Sequence, residues 1–292
     1  MSLFKKQKHI LIITLILIFA AEAISISKPT LYATNHMLTI SKLVEPICIL
    51  QVTDLHNSEF GKNNSKLIVK TRRQNPDVIL LTGDLINMNE KDTSVIQTLI
   101  SDLTSIAPVY ISMGNHEVVH EQNFGTDLKE VFEAAGAIVL EREYVDITVN
   151  NQDIRIGGIY GYCLPEKFLE TEEANPEECA FLSEFQDTDR YTILMCHMPV
   201  CWMMNDGLDE WDIDCVFSGH AHGGQIILPF IGGLYAPDMG LFPGELEGIF
   251  DSKDGNKHLV LSRGLGSGTW VPRINNRPEI ITVEIKPTQE VQ

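Results

Sequence analysis

Five short apolar runs, rich in β-branched residues and each followed closely by Asp, Asn or His, constrain this chain more than any other feature. They are Ile47–Val52 and residues 77–81, 109–113, 191–196 and 215–218. Runs of this length with no polar face read as strands covered on both sides, as in a parallel sheet. Helical spacing fills the gaps between the early ones. Ser65 opens a span that ends at Asn75-Pro76, and Thr93 opens a second with Ile96, Leu99, Ile100 and Leu103 on one face. A third runs from Thr126, with Leu128, Val131, Phe132 and Ala135 inward, and stops at Gly136. Strand–helix alternation predicts an α/β fold built on right-handed βαβ units. Residues 153–160, 225–228, 258–262 and 280–285 add β-rich segments, which predicts a second sheet packed on the first. Residues 166–189 are strongly acidic and contain Asn175-Pro176, so a surface insertion with one short helix is expected there.

At 292 residues the chain is long enough for one large domain. Its 22 Lys+Arg against 40 Asp+Glu give a formal net charge of -18. Such a surface repels polyanions, so no nucleic acid polymer is expected as a partner. A pair of bound cations can still make a site locally positive and draw in a small phosphate ester. Oligomeric state is not legible. The six cysteines form no C-x-x-C pair, which excludes a zinc knuckle or a thioredoxin-type motif. Cys48, Cys196 and Cys215 sit in strand-like runs as small hydrophobes. Cys163 and Cys179 lie in a loop-rich region where a disulfide between them stays open.

Lys5, Lys6 and Lys8 precede an uncharged stretch over residues 10–21, closed by Glu22. A basic flank before an apolar segment reads as an export signal or membrane anchor over 1–26, with the Lys side cytoplasmic. Ala21-Glu22-Ala23 resembles a cleavage site. The rest is then expected outside the cytoplasm, on the cell membrane or, after cleavage, secreted. Residues 27–45 read as a polar linker.

The strand-end clusters are Asp54-Leu55-His56, Gly83-Asp84, Gly114-Asn115-His116-Glu117, His197 and Gly219-His220-Ala221-His222. Ligands of parallel sheets gather at the carboxyl ends of strands, where all five clusters fall. Together they offer the nitrogen and oxygen donors a two-metal hydrolytic centre needs. Two cations a few Å apart lower the pKa of a water between them and offset the charge by which a phosphate ester repels its nucleophile. Asp54 and His56 can converge on one ion, and Asp84 is the natural bridging carboxylate. Asn115 supplies an amide oxygen, and His197, His220 and His222 supply imidazoles. The mixed donor set without thiolate suits Mn, Zn or Fe.

In this order the motifs D-x-H, G-D, G-N-H-E, H and G-H-x-H resemble the calcineurin-like metallophosphoesterases. The likeness runs from about Ile47 to Ile285 and places a metallophosphoesterase domain over 46–287 with a tail at 288–292. It implies a central β-sandwich flanked by helices and two divalent metal ions. Position by position, one ion would take Asp54, His56, Asp84 and His222; the other would take Asp84, Asn115, His197 and His220. His116 would be a catalytic histidine that meets substrate without binding metal. Gly83-Asp84-Leu85-Ile86-Asn87-Met88 departs from the protein-phosphatase form of the second motif, because the Arg that clamps a monoester is missing. The tail, from Gly223-Gly224-Gln225 to Ser262-Arg263-Gly264, looks like a bacterial branch with one N-terminal span. That branch implies phosphodiester hydrolysis, and the alternative is a nucleotide-lipid pyrophosphatase at the membrane surface. Arg263 is a weaker candidate for substrate binding. A catalytically silent scaffold is the remaining reading, and such proteins usually lose ligands that are all present here.

Overall fold

The computed structural model describes residue 14 and residues 30–161, 163–268 and 271–288. In chain order the first strands are β1 (Tyr32–Ile40), β2 (Ile47–Val52), β3 (Val78–Thr82), β4 (Val109–Ser112) and β5 (Ile138–Val139). Next come β6 (Glu143–Val149), β7 (Gln152–Ile159), β8 (Tyr191–Cys196) and β9 (Cys215–Ser218). They are followed by β10 (Ile227–Leu228), β11 (Gly232–Ala236), β12 (Gly240–Gly244), β13 (Gly248–Asp251), β14 (His258–Leu261) and β15 (Glu279–Pro287). The helices are α1 (Ser65–Gln74), α2 (Ser94–Thr104), α3 (Asn115–Phe124), α4 (Leu128–Ala134), α5 (Pro176–Gln186), α6 (Val200–Met204) and α7 (Gly207–Glu210).

One six-stranded sheet has the order β1-β15-β2-β3-β4-β5, and a second has the order β13-β14-β9-β8-β7-β6. The inner strands β2 to β5 run parallel, as do β7, β8, β9 and β14. Successive residues point to opposite faces. Thus Ile49 and Leu80 meet Ile193, Met195 and Phe217 of the other sheet between the layers. Their neighbours Leu50 and Ile79 instead pack under Leu67 of α1, Ile100 of α2 and Phe132 of α4. On the far side, Leu194 and Val216 lie under Phe181 and Phe185 of α5 and Trp202 of α6. Both faces of each sheet are therefore covered, which is why the strands read as unbroken apolar runs. Each such buried side chain contributes roughly 1.5–3 kcal/mol of transfer free energy.

The architecture is the expected α/β sandwich, with local differences. The span 32–40 is a strand and not a linker, paired in parallel with β15. It is an edge strand in which only Leu38 is buried, so its sequence stays polar. The acidic stretch 166–189 is no mere surface insertion. Asn175 caps α5 by accepting the Glu177 N–H, and Cys179, Phe181, Leu182 and Phe185 are buried, with Glu177 and Glu184 turned to solvent and Glu178 half-buried. Asp127, one residue after the expected Thr126, caps α4 through the Glu130 N–H. All six cysteines are free, so Cys163 and Cys179 are not paired. Cys163 Sγ instead lies 3.8 Å from Cys196 Sγ. The segment 1–26 lies outside the described residues, apart from residue 14; among the described residues no helix is long and apolar enough to cross a membrane.

Candidate metal centre

Because β2, β3 and β4 are parallel in one sheet and β8 and β9 in the other, their carboxyl ends meet at one edge of the sandwich. Asp54 and His56 follow β2, Asp84 follows β3, and Asn115 opens α3 after β4. His197 follows β8, and His220 and His222 follow β9. The structure brings donor atoms of Asp54, His56, Asp84 and His222 within 4.8 Å of one another, and likewise those of Asp84, His197 and His220. Asp84 belongs to both groups.

The distances are those of donors aimed at common points. Asp84 Oδ2 lies 3.3 Å from His197 Nε2, 3.7 Å from His56 Nε2 and 3.9 Å from His116 Nε2. His222 Nε2 is 3.4 Å from Asp54 Oδ1 and 3.3 Å from His56 Nε2. Asn115 Oδ1 and His197 Nε2 are buried without a hydrogen-bond partner, a costly state for polar atoms unless something binds them. These orphaned donors, together with the mixed nitrogen and oxygen set, fit a pair of divalent ions.

Backbone strain marks the same residues. Asp54 (φ 52°), His56 (46°), Asp84 (53°), His220 (65°) and His222 (47°) all occupy the left-handed region, at a cost of order 1–3 kcal/mol each. Backbone bonds hold two of them: the Asp54 N–H donates to Gly83 O and the His56 N–H to Asp84 O, each at 3.0 Å. Gly264 (φ 68°) passes so close to Asp54 that a Cβ there would strike its side chain.

The imidazoles are poised by their outer partners. His197 Nδ1 is 2.8 Å from the carbonyl of Thr82, so it donates there and leaves Nε2 facing Asp84. His220 Nε2 is 3.1 Å from Asp238 Oδ2, which leaves Nδ1 as the nitrogen it offers to an ion. Burial lowers His56 to about 3 and His220 to about 4, so both are neutral rings at neutral pH, as ligation requires. Burial also pushes Asp54 up to about 7. On Asp84 burial acts in the same direction, but His197, His56 and His116 outweigh it and hold the carboxyl below its ordinary value. His116 accepts the Met88 N–H on Nδ1 at 3.3 Å, which keeps the ring proton on Nε2, the atom that faces Asp84.

Three residues at the centre were given no role by the sequence, Glu117 being read only as a member of its cluster and Asp238 and Arg273 not at all. Glu117, fully buried, accepts the N–H groups of Asp84, Leu85, Ile86 and Gly114 at 2.7–3.1 Å. Asp238 gave only a turn signal, Pro237-Asp238-Met239-Gly240. Arg273 donates to Gly266 O and Arg263 O, each at 2.7 Å, and places Nη2 3.1 Å from His222 Nδ1. Burial lowers its pKa to about 10, so it remains a cation beside the centre. Arg263, by contrast, is engaged by carboxylates, with Nη2 2.6 Å from Glu279 Oε2 and Nε 2.7 Å from Glu247 Oε2. Its guanidinium is held in these ion pairs. His120 is buried against Phe124, and His258 pairs with Asp251; neither joins the donor groups.

A sandwich with this strand-end donor set defines a dinuclear metallohydrolase class. The sequence profile of the calcineurin-like phosphoesterases matches residues 48–224, and the chain belongs to that family of metal-dependent hydrolases. An uncharacterised metallophosphoesterase of Campylobacter jejuni is 28% identical over 288 residues, 96% of this chain and 69% of its own length. The phosphodiesterase YaeI of Escherichia coli is 28% identical over 253 residues, 82% of each chain. Among solved structures, a 5'-nucleotidase precursor from Thermus thermophilus aligns with TM-score 0.48 and 14% identity, over 76% of this chain and 49% of that one. This chain thus spans about half of that protein's length.

Proposed function

We propose that the protein hydrolyses phosphodiesters at this centre, with Asp54, His56, Asp84 and His222 around one divalent ion and Asp84, Asn115, His197 and His220 around the other. The observation that carries the reading is Asp84, whose carboxylate is shared by both donor groups. The ions supply Lewis acidity and an activated water when bound. The chain's own part is to fix them and to manage the proton. His116, with its proton on Nε2 and little exposed, is placed to donate to the departing alkoxide or to the phosphoryl oxygens. The similarity to a phosphodiesterase along most of the chain favours diesters over monoesters, as does the absence of an Arg after Gly83-Asp84. The Lys5, Lys6 and Lys8 flank beside residues 10–21 supports a catalytic domain held outside the cytoplasm by a membrane segment.

The test is turnover of chromogenic mono- and diesters by the full chain loaded with Mn, Zn or Fe, beside metal analysis. Diester turnover with two ions per chain is expected. One ion per chain, or turnover untouched by chelation, rejects the reading. For the location, a reporter active only outside the cytoplasm, fused after Gln292, is expected to give signal; signal from a reporter that works only inside the cytoplasm rejects it.

A further inference from the structure

An apolar cleft of about 290 Å³ begins at His222 itself. Its walls are the turn that carries His222 (Ala221, Gly224, Gln225, Ile226), β11 and its end (Leu234, Tyr235, Pro237), and Val271. None of these lining residues carries a formal charge except His222 on protonation, and the cleft starts at one of the proposed metal ligands. His222 is the residue the cleft shares with the donor groups, so a molecule in the cleft lies against a proposed ligand.

The surroundings share this character. In the 19 residues 226–244 Asp238 is the only charged one, and its carboxylate is bonded to His220. In a chain that is 21% charged, about four would be expected over such a span. Phe230 and Ile231 in the β10–β11 turn, and Tyr235, Leu241 and Phe242 on the three-stranded sheet β10-β11-β12, are exposed, five of the twelve large apolar side chains exposed among the described residues. β11 forms both a wall of the cleft and part of this strip. Isolated exposed apolar residues need no cause, but a run of them leading into a cleft at the reactive centre marks a ligand surface.

Resting on the phosphoesterase reading above, we infer that this cleft receives the hydrocarbon part of the ester, so that the substrate class is phosphate esters bearing an alkyl chain. Phosphate would sit at the ions, with the chain running from His222 between Ile226 and Tyr235 towards the apolar sheet. An alkyl group fits better than a sugar or a peptide, because the lining offers almost no polar partner for hydroxyls or amides.

The experiment compares methylphosphonate with octylphosphonate by calorimetry on the full chain, metal-loaded and metal-free. Alongside it, hydrolysis of methyl and octyl p-nitrophenyl phosphates is followed. Each buried methylene is worth about four-fold in affinity. With only part of the chain enclosed, octylphosphonate is expected to bind roughly 30-fold or more tighter, with kcat/KM following. Tyr235→Asp, half-exposed in the native fold, is expected to abolish this gain at retained melting midpoint and metal content. Equal affinity for the two phosphonates overturns the inference, and so does a gain that survives Tyr235→Asp. Chain-length-dependent binding without turnover of either ester leaves the cleft assignment standing and rejects the phosphoesterase reading instead.

Discussion

Glu117 accepts the backbone N–H of Asp84 at 2.7 Å, and the same carboxylate oxygen accepts that of Gly114 at 2.7 Å. One buried side chain thereby ties the loop after β3, which carries the proposed ligand Asp84, to the loop after β4, which leads into Asn115. Glu117→Gln would turn an NH2 group towards backbone donors. Metal-free stability is expected to fall by on the order of 3 kcal/mol, read by urea denaturation, with metal content falling as well. An unchanged urea midpoint would show that the carboxylate does not organise these loops.

Asp84→Asn is expected to lower bound metal below that of any variant of a single-ion ligand, because the carboxylate is common to both donor groups. Elemental analysis decides. Two ions per chain in this variant would remove the bridging assignment.

Asp238 should tune one ion only. Asp238→Asn weakens the acceptor opposite His220 Nε2 while keeping its shape, and loss of such an outer partner typically costs 10–100-fold in metal affinity. Stepwise metal titration is expected to show one weakened and one unchanged site. Equal weakening of both would contradict the grouping.

His116→Asn is expected to keep both metals and the folding midpoint while the rate drops about 10²–10⁴-fold for esters with poor leaving groups. Activated aryl esters, which hardly need a proton, should lose less. Equal losses across leaving groups would assign His116 to charge stabilisation instead.

Glu178 provides a pH test away from the centre. Its Oε2 is buried without a partner, and burial raises its pKa to about 7, with Glu177 adding and Arg142 opposing. Between the unfolded value near 4.5 and about 7, the folded state binds more protons, so stability falls as pH rises through this window. Glu178→Gln should therefore stabilise at pH 8 and change little at pH 4. The half-exposed position limits the gain to on the order of 1 kcal/mol. Equal melting shifts at both pH values would count against it.

The strand-end clusters were readable because both chemistry and fold demand them. Apolar runs had to be buried, and Asp54, His56, Asp84, Asn115, His197, His220 and His222 fall where such strands end. Less visible was whatever depends on a single tertiary pairing. The edge strand β1 buries one side chain and so lacks an apolar signature. The apolar face of α5 is spelled among acidic residues, and Arg273 reaches the centre only because the last loop folds back on it. Arg263, placed in a Gly-rich stretch that suggested phosphate, proved to be held by Glu279 and Glu247, neither near it in sequence.

β15, the last strand, lies between β1 and β2 in the sheet that bears Asp54, Asp84 and Asn115. This sheet cannot close before residues 279–287 have left the ribosome. The carboxylate half of the centre therefore sits in a sheet completed by a strand more than 200 residues away from β2, and such long-range strand insertion is slow.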